Sequence, residues 1–271
     1  MDMRIGIAGC AGRMGQMLVR QVGLTEGAVV SGGLEATGSE AIGRDLGTLA
    51  GLDPLGVMVT DDAAELFAHA DAVLEFTSPE ATVAHTKLAA QAHTIHVIGT
   101  TGLDAEQEAA LHQAAKHTAV VLGANMSVGV NLLQALVKRV AGVLGPDYDI
   151  EIVEMHHHHK VDAPSGTALA LGRAAAAGRG VALDAVADRG RDGLTGPRRP
   201  GDIGFASLRG GDVTGDHTVI FAGGGERVEI GHRAASREIY SRGAVRAALW
   251  AHAHREPGFY TMADVLGFAE D

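Results

Sequence analysis

The stretch MRIGIAGCAGRMG, residues 3–15, decides the reading of the fold. An apolar run of strand character feeds a glycine loop spaced G-x-x-G-x-x-G (Gly9, Gly12, Gly15), and a helical pattern begins at Arg13. Three glycines in a chain that holds 38 are compatible with a plain strand-to-helix turn. The next strand narrows the choice. AVVSGGLE, residues 28–35, ends in Glu35, twenty residues after Gly15, where a dinucleotide-binding fold places the carboxylate that accepts from a ribose hydroxyl. The glycines let the backbone approach a pyrophosphate, whose charge sits on the helix N-terminus. Ala36 follows Glu35, so no adjacent cation is there to pair with a 2′-phosphate. That favours NADH, with NADPH possible through Arg13 or Arg44.

Working outward, the rhythm continues with AVLEFT, IHVIGT and AVVLGAN as strands. Helical patterns at Arg13–Val22, Pro79–Gln91 and Asp104–His117 lie between them, the alternation of a parallel sheet wrapped by crossover helices. Two of these strands end in small hydroxyl residues, Thr77-Ser78 before Pro79 and Thr100-Thr101 inside GTTG. Ligands of open α/β folds bind at that edge, but both pairs also fit ordinary helix capping. After Val128 the pattern changes to a long helix to about Leu144, a strand Asp149–Met155, a helix from Pro164 and a Gly/Arg-rich loop up to Pro200. Three β-like runs follow, Ile203–Arg209, His217–Ala222 and Arg227–Ala234, separated by glycines and read as antiparallel. Ser241–His254 is amphipathic and reads as a helix returning to cover the first domain. The 271 residues thus divide into a first domain of residues 1–127 and 237–271 and a second of residues 128–236, with hinge motion expected at the two junctions.

Composition bounds the function. With 22 basic against 33 acidic residues and a net charge of −11, the chain reads neither as a nucleic-acid binder nor as a protein of anionic membranes. One cysteine, Cys10, excludes an intramolecular disulfide, and MDMRIGIAG lacks the basic and apolar regions of a leader, so the expected location is cytoplasmic. No uninterrupted apolar run reaches the ~18 residues needed to span a bilayer.

EMHHHHKVDAPSGTAL, residues 154–169, carries the chemistry. In an extended segment His156 and His158 point to one face and His157 and His159 to the other, so no face gathers three metal ligands; no metal is expected. Lys160 adds a fixed positive charge, and Asp162 to Thr167 reads as a helix start whose backbone N–H groups face outward. Gly166 lets a ligand approach that backbone. A histidine beside such a site can exchange a proton near neutral pH. Together these residues describe a pocket for a small dianion beside a proton donor; each histidine alone would read as a surface residue.

GCAGRMG (9–15), GTTG (99–102), GANMSVGV (123–130), EMHHHHKVDAPSGT (154–167), GDIGFASLR (201–209) and GAVRAALW (243–250) together resemble the dihydrodipicolinate reductase family, in collinear order over nearly the whole chain. The resemblance implies NAD(P)H-dependent reduction of a cyclic dicarboxylate on the route to diaminopimelate and lysine. It implies a Rossmann-type dinucleotide-binding domain and an α+β substrate-binding domain whose mixed sheet forms a homotetramer. Carried over, His156 is the proton donor/acceptor and Lys160 the second proton donor, while His157, Gly166 and Thr167 hold substrate carboxylates. The cofactor lies on Gly9, Cys10, Ala11, Gly12, Arg13, Met14, Glu35, Gly99, Thr100, Thr101, Gly123, Ala124, Asn125 and Met126. The chain departs from the family at His158, where arginine is frequent, and at Ala36, where users of NADPH tend to carry a basic residue. Two other readings share parts of the pattern. An amino-acid or homoserine-type dehydrogenase would keep the glycine loop but has no use for the histidine motif, and a regulatory dinucleotide binder would use the histidines to sense metal.

Overall fold

A computed structural model describes residues 2–254 and 256–268. The chain divides into two compact units, Met1–Val128 with Glu238–Asp271, and Gly129–Arg237.

In the first unit, strands β1 (Met3–Ala8), β2 (Ala28–Leu34), β3 (Val59–Thr60), β4 (Ala72–Glu75), β5 (Ile95–Ile98), β6 (Ala119–Leu122) and β12 (Gly258–Thr261) form one sheet in the order β12-β6-β5-β4-β1-β2-β3. Every pairing is parallel. Helices α1 (Arg13–Gly23) and α9 (Glu238–His254) pack on one face, where Leu18, Val19 and Val22 meet Ala244, Ala247, Ala248 and Ala251 in one core. Helices α3 (Ala63–His69), α4 (Pro79–Ala92) and α5 (Ala105–Ala114) supply the other face through Leu66, Phe67, Ala89, Leu111 and Ala114. The strands are covered on both sides, so they are apolar without alternation. β4 and β5 are buried at every position, and two polar residues, Glu75 and His96, are sealed inside them. The small residues of α9 have a purpose: a side chain at Gly243 would collide with the Met126 carbonyl. The order of strands reverses at β1, so the carboxyl ends of β1 and β4 flank the crevice where such sheets bind ligands.

The pattern reading missed α2 (Leu46–Leu49), β3, α3, β12 and α10 (Met262–Leu266). All are short, and two residues of β3 or four of β12 carry no usable periodicity; their neighbours in the sheet define them.

In the second unit, β7 (Asp149–His156), β8 (Ala187–Asp188), β9 (Ile203–Arg209), β10 (Gly215–Ala222) and β11 (Arg227–Ala234) form a mixed sheet in the order β11-β10-β7-β9-β8. The three runs β9, β10 and β11 alternate in direction as expected, but β9 and β10 are not neighbours, because β7 stands between them. β10 is antiparallel to β11 and β7, but β9 pairs with β7 in parallel, and β8 with β9 likewise. The physical reason is the connection: helix α7 (Gly166–Gly178) and the short α8 (Leu183–Val186) intervene between β7 and β9, a crossover that returns the chain in the same direction. β7 and β10 alternate strictly, and their inner residues Ile150, Ile152, Val219 and Phe221 pack with Leu133, Val137 and Ala141 of α6 (Val128–Leu144) and Leu171 and Ala175 of α7. α6 with the turn after it, Val128–Asp147, is long and apolar enough by length and composition to cross a membrane, although Lys138 and Arg139 interrupt its apolar run at the middle. Its stripe Val130, Leu133, Val137 and Ala141 is buried.

Candidate active site

The first unit gathers all fourteen predicted cofactor residues at the carboxyl edge of its sheet, after β1, β2, β5 and β6. Gly9 has φ +76°, a left-handed conformation that favours glycine. A side chain at Gly15 would run into the Gly9 carbonyl and the Cys10 backbone, and one at Gly99 into the Phe76 ring. α1 starts at Gly12 with no side-chain cap and no acid in its first turn, which leaves its N-terminal N–H groups to an anion. Glu35 is tied into the loop, its Oε1 accepting from Ala11 N at 2.7 Å. Cys10 is fully buried, and burial first, then Glu35, pushes its thiol up to about 12, so it contributes backbone alone. After β6, Asn125 Oδ1 accepts from Ser127 N at 2.8 Å, and Gly123 leaves room for the Met126 thioether. This cradle of glycines, open helix end and acid fits a dinucleotide. Thr100 is buried at 4% exposure, whereas Thr101 is exposed.

Beside this cradle lies a cluster that sequence reasoning missed. Glu75 ends β4 at 0% exposure. Its Oε2 accepts from His96 Nε2 at 2.6 Å, and its Oε1 meets His85 Nδ1 at 2.8 Å and the Thr77 hydroxyl. His96 Nδ1 meets Thr86 Oγ1 at 3.0 Å. Burial would raise the Glu75 carboxyl, but the hydrogen bonds from His85 and His96 outweigh it and hold it well below the usual carboxylate range. The only signal in the sequence was an acid and a histidine inside two otherwise apolar strands.

The second unit arranges the histidine motif differently from the expected alternation. β7 ends at His156, and a turn follows, closed by His157 N to Val213 O at 2.7 Å and Lys160 N to His157 O at 3.1 Å. His156 therefore points inward with Ile152 and Glu154, and His158 and His159 stand exposed with ring centroids 3.9 Å apart. Among the described residues, no group of three His, Cys, Asp or Glu is placed to hold a metal ion.

His156 Nδ1 meets Glu154 Oε2 at 2.5 Å, and both residues are buried. Arg209, at the end of the parallel strand β9, clamps both Glu154 oxygens at 2.8 Å. Burial pulls Glu154 upward, but Arg209, then Ser207 and His156, bring it down to about 2, so it is ionised at neutral pH. An ionised partner at Nδ1 fixes the histidine proton there and leaves Nε2 to exchange with a ligand. The far side of the ring stays open because residue 215 is glycine: a Cβ there would sit 3.0 Å from His156 Nε2. His217 crosses the His156 ring edge-on at 5.1 Å, and burial, then His156, pushes it down to about 4. It is neutral at pH 7, with Nε2 bonded to Ser165 Oγ at 3.0 Å.

Ser165 caps α7 through Ala168 N at 3.1 Å, and a side chain at Gly166 would meet nothing within 4 Å. Gly166 thus faces open space at a helix N-terminus. His157 Nδ1 is buried without a hydrogen-bond partner among the described residues, and Lys160 Nζ pairs with Asp162 Oδ1 at 2.8 Å. Glu154, Arg209, Gly215 and His217 were not read as functional from the sequence; only Glu154 and Arg209 stood inside quoted motifs.

Comparison with known proteins identifies the family. Residues 3–126 match the family "Dihydrodipicolinate reductase, N-terminus" and residues 129–266 match "Dihydrodipicolinate reductase, C-terminus". Proteins named 4-hydroxy-tetrahydrodipicolinate reductase from Rhodopseudomonas palustris (strain HaA2) and Ruegeria pomeroyi are similar at 58% identity over 99% of both chains and 57% over 97% of both. A dipicolinate-bound dihydrodipicolinate reductase from Paenisporosarcina sp. TG-14 shares the fold, with TM-score 0.78 and 23% identity over 97% of this chain and 99% of that one. With both of its units matched along their length, the chain belongs to the dihydrodipicolinate reductase family.

Proposed function

We propose that this chain is a 4-hydroxy-tetrahydrodipicolinate reductase, an NAD(P)H-dependent oxidoreductase that reduces a cyclic dicarboxylate intermediate of lysine and diaminopimelate biosynthesis to tetrahydrodipicolinate. The observation that carries the reading is the Arg209–Glu154–His156 relay, ending in an imidazole nitrogen kept open by Gly215. Bound dihydronicotinamide supplies the hydride. The chain must then hold a dianion and deliver one proton to the reduced ring.

In this reading His156 gives the proton from Nε2 while Nδ1–H stays on Glu154. Lys160, beside Asp162, is the second donor, and His157 with the backbone of Gly166 and Thr167 takes the carboxylates. Gly9, Cys10, Ala11, Gly12, Arg13 and Met14 cradle the pyrophosphate, and Glu35 accepts from a ribose. Gly99, Thr100, Thr101 and Gly123, Ala124, Asn125, Met126 line the remaining edge. NADH is the favoured cofactor: Glu35 repels a 2′-phosphate, and the exposed Ala36 offers nothing to offset it. We assign the outer face of the mixed sheet, with Val153, Met155, Ile220 and the half-exposed Leu208, to the contacts of a homotetramer in the cytoplasm.

The test is NADH and NADPH oxidation by metal-free protein, with substrate generated in situ by a dihydrodipicolinate synthase from pyruvate and aspartate semialdehyde. Oxidation that requires the synthase and is faster with NADH is expected. NADH binding without synthase-dependent oxidation would overturn the proposed reaction.

A further inference from the structure

Arg209 does more than hold Glu154. It is the last residue of β9 and the register partner of His156 on β7. The two terminal nitrogens of a guanidinium carry four N–H groups, and here all four have acceptors. Nη1 donates to Glu154 Oε2 at 2.8 Å and to Leu208 O at 2.6 Å. Nη2 donates to Glu154 Oε1 at 2.8 Å and to Asp162 O at 2.6 Å. Neutralising Glu154 needs only the two bonds to its carboxylate. The bond to Asp162 reaches a different segment, the turn between β7 and α7 to which the proposed reaction assigns the dianion.

Asp162 passes the constraint on, because its Oδ1 accepts from Lys160 Nζ at 2.8 Å. The other end of the turn is held without Arg209: Ser165 N donates to Glu154 Oε1 at 3.2 Å, and Ser165 Oγ bonds His217 Nε2 at 3.0 Å. What the guanidinium ties to β9 is therefore the Lys160–Asp162 end. One planar group connects both proton donors of the proposed reaction, through Glu154 to His156 and through Asp162 to Lys160.

We infer that Arg209 is a positioning residue for the dicarboxylate: by bridging the Glu154 carboxylate and the Asp162 carbonyl, it sets where Lys160 stands relative to His156, so that one anionic ring meets both. The inference rests on the proposed function of this site. A guanidinium that only neutralised Glu154 could be replaced by another cation of similar reach, but a bridge could not. Lysine is a point charge on a single nitrogen; it can pair with Glu154 without spanning to Asp162.

The experiment is calorimetric binding of pyridine-2,6-dicarboxylate, a planar analogue of the proposed substrate, to the NADH-loaded full chain, to Arg209→Lys, to Lys160→Met and to the double variant, with kcat and KM for the synthase-generated substrate. Arg209→Lys should weaken the dicarboxylate about tenfold, the worth of one hydrogen bond from a charged donor. KM should rise by about as much, kcat should fall by less than KM rises, and the Kd for NADH should not move. In the Lys160→Met background the same change should alter the dicarboxylate Kd by less than about twofold, since the residue that Arg209 positions is gone. An Arg209→Lys variant that binds the dicarboxylate as the unaltered chain does, or a tenfold loss that persists without Lys160, overturns the inference. Arg209→Gln lacks the charge as well; it should show the same dependence on Lys160 with a lower kcat, and it decides the question if Arg209→Lys does not fold. Unaltered protein that binds NADH and no dicarboxylate would instead overturn the proposed function itself.

Discussion

Two buried glutamates, each on a strand and each bonded to histidine, do opposite things in the two units. Glu154 shares its charge with Arg209 and hands His156 only one bond, so the far nitrogen of that ring remains available. Among the described residues Glu75 meets no arginine; it is enclosed by His85, His96 and Thr77, and the far nitrogen of His96 is taken by Thr86. The difference teaches that a buried carboxylate–histidine pair is not by itself a proton-transfer site. What decides is whether the ring has one nitrogen left over and whether the surrounding chain keeps it open, as Gly215 does for His156 and no residue does for His96.

The contrast breaks first at the rings. His156→Gln should lower kcat about a thousandfold while the Kd for NADH stays within about twofold. His96→Gln should cost stability in urea unfolding and leave the folded fraction nearly full in kcat; an equal loss of cofactor binding in His156→Gln would erase the distinction. The acids come next. Glu154→Gln frees Arg209 and lets His156 reorient, so kcat should fall about a hundredfold. Glu75→Gln should instead cost about 3–5 kcal/mol of unfolding free energy, the usual loss when one partner of a buried pair is removed. Gly215→Ala is subtler: a methyl 3.0 Å from Nε2 should lower kcat about tenfold without moving the cofactor Kd. Full activity in this variant would show that the proton leaves His156 by another path.

The smallest effects lie in pH. The folded value of Glu154, about 2, is below its ordinary 4.5, so the stability it contributes is complete above 4.5 and is lost as pH falls through 2. Glu75 is depressed as well, and acts in the same direction. His217, lowered from 6.5 to about 4, is a histidine kept neutral by the fold: stability is complete above 6.5 and falls between 6.5 and 4 as the unfolded chain takes up the proton first. Urea unfolding of His217→Asn should show a flatter pH dependence in that upper window and an unchanged one below it.

Much of this was legible in the sequence because it is periodic or local. The glycine loop, Glu35 and the strand-helix rhythm name the nucleotide fold, and the histidine motif marks the candidate site of the second unit. The rest depends on partners distant in the chain. Arg209 meets Glu154 only because β9 runs parallel beside β7, a neighbour that three successive β runs read in order do not reveal. Gly215 faces His156 only through the β10–β7 register, where its neighbour Asp216 pairs with Met155. Glu75, His85 and His96 come from a strand, a helix and another strand, and no spacing rule links them.

The return of the chain to the first unit has a consequence for synthesis on the ribosome. Ala244, Ala247, Ala248, Ala251 and Met262 belong to the same core as Ile5, Leu18 and Val121. When the segment through Val128 has emerged, that core still lacks one wall, whereas Gly129–Arg237 is continuous and can close as soon as it is out. The nucleotide unit, although made first, is the last to be finished. A nascent chain stalled before Glu238 would expose the apolar face that α9 covers to chaperones and to other nascent chains.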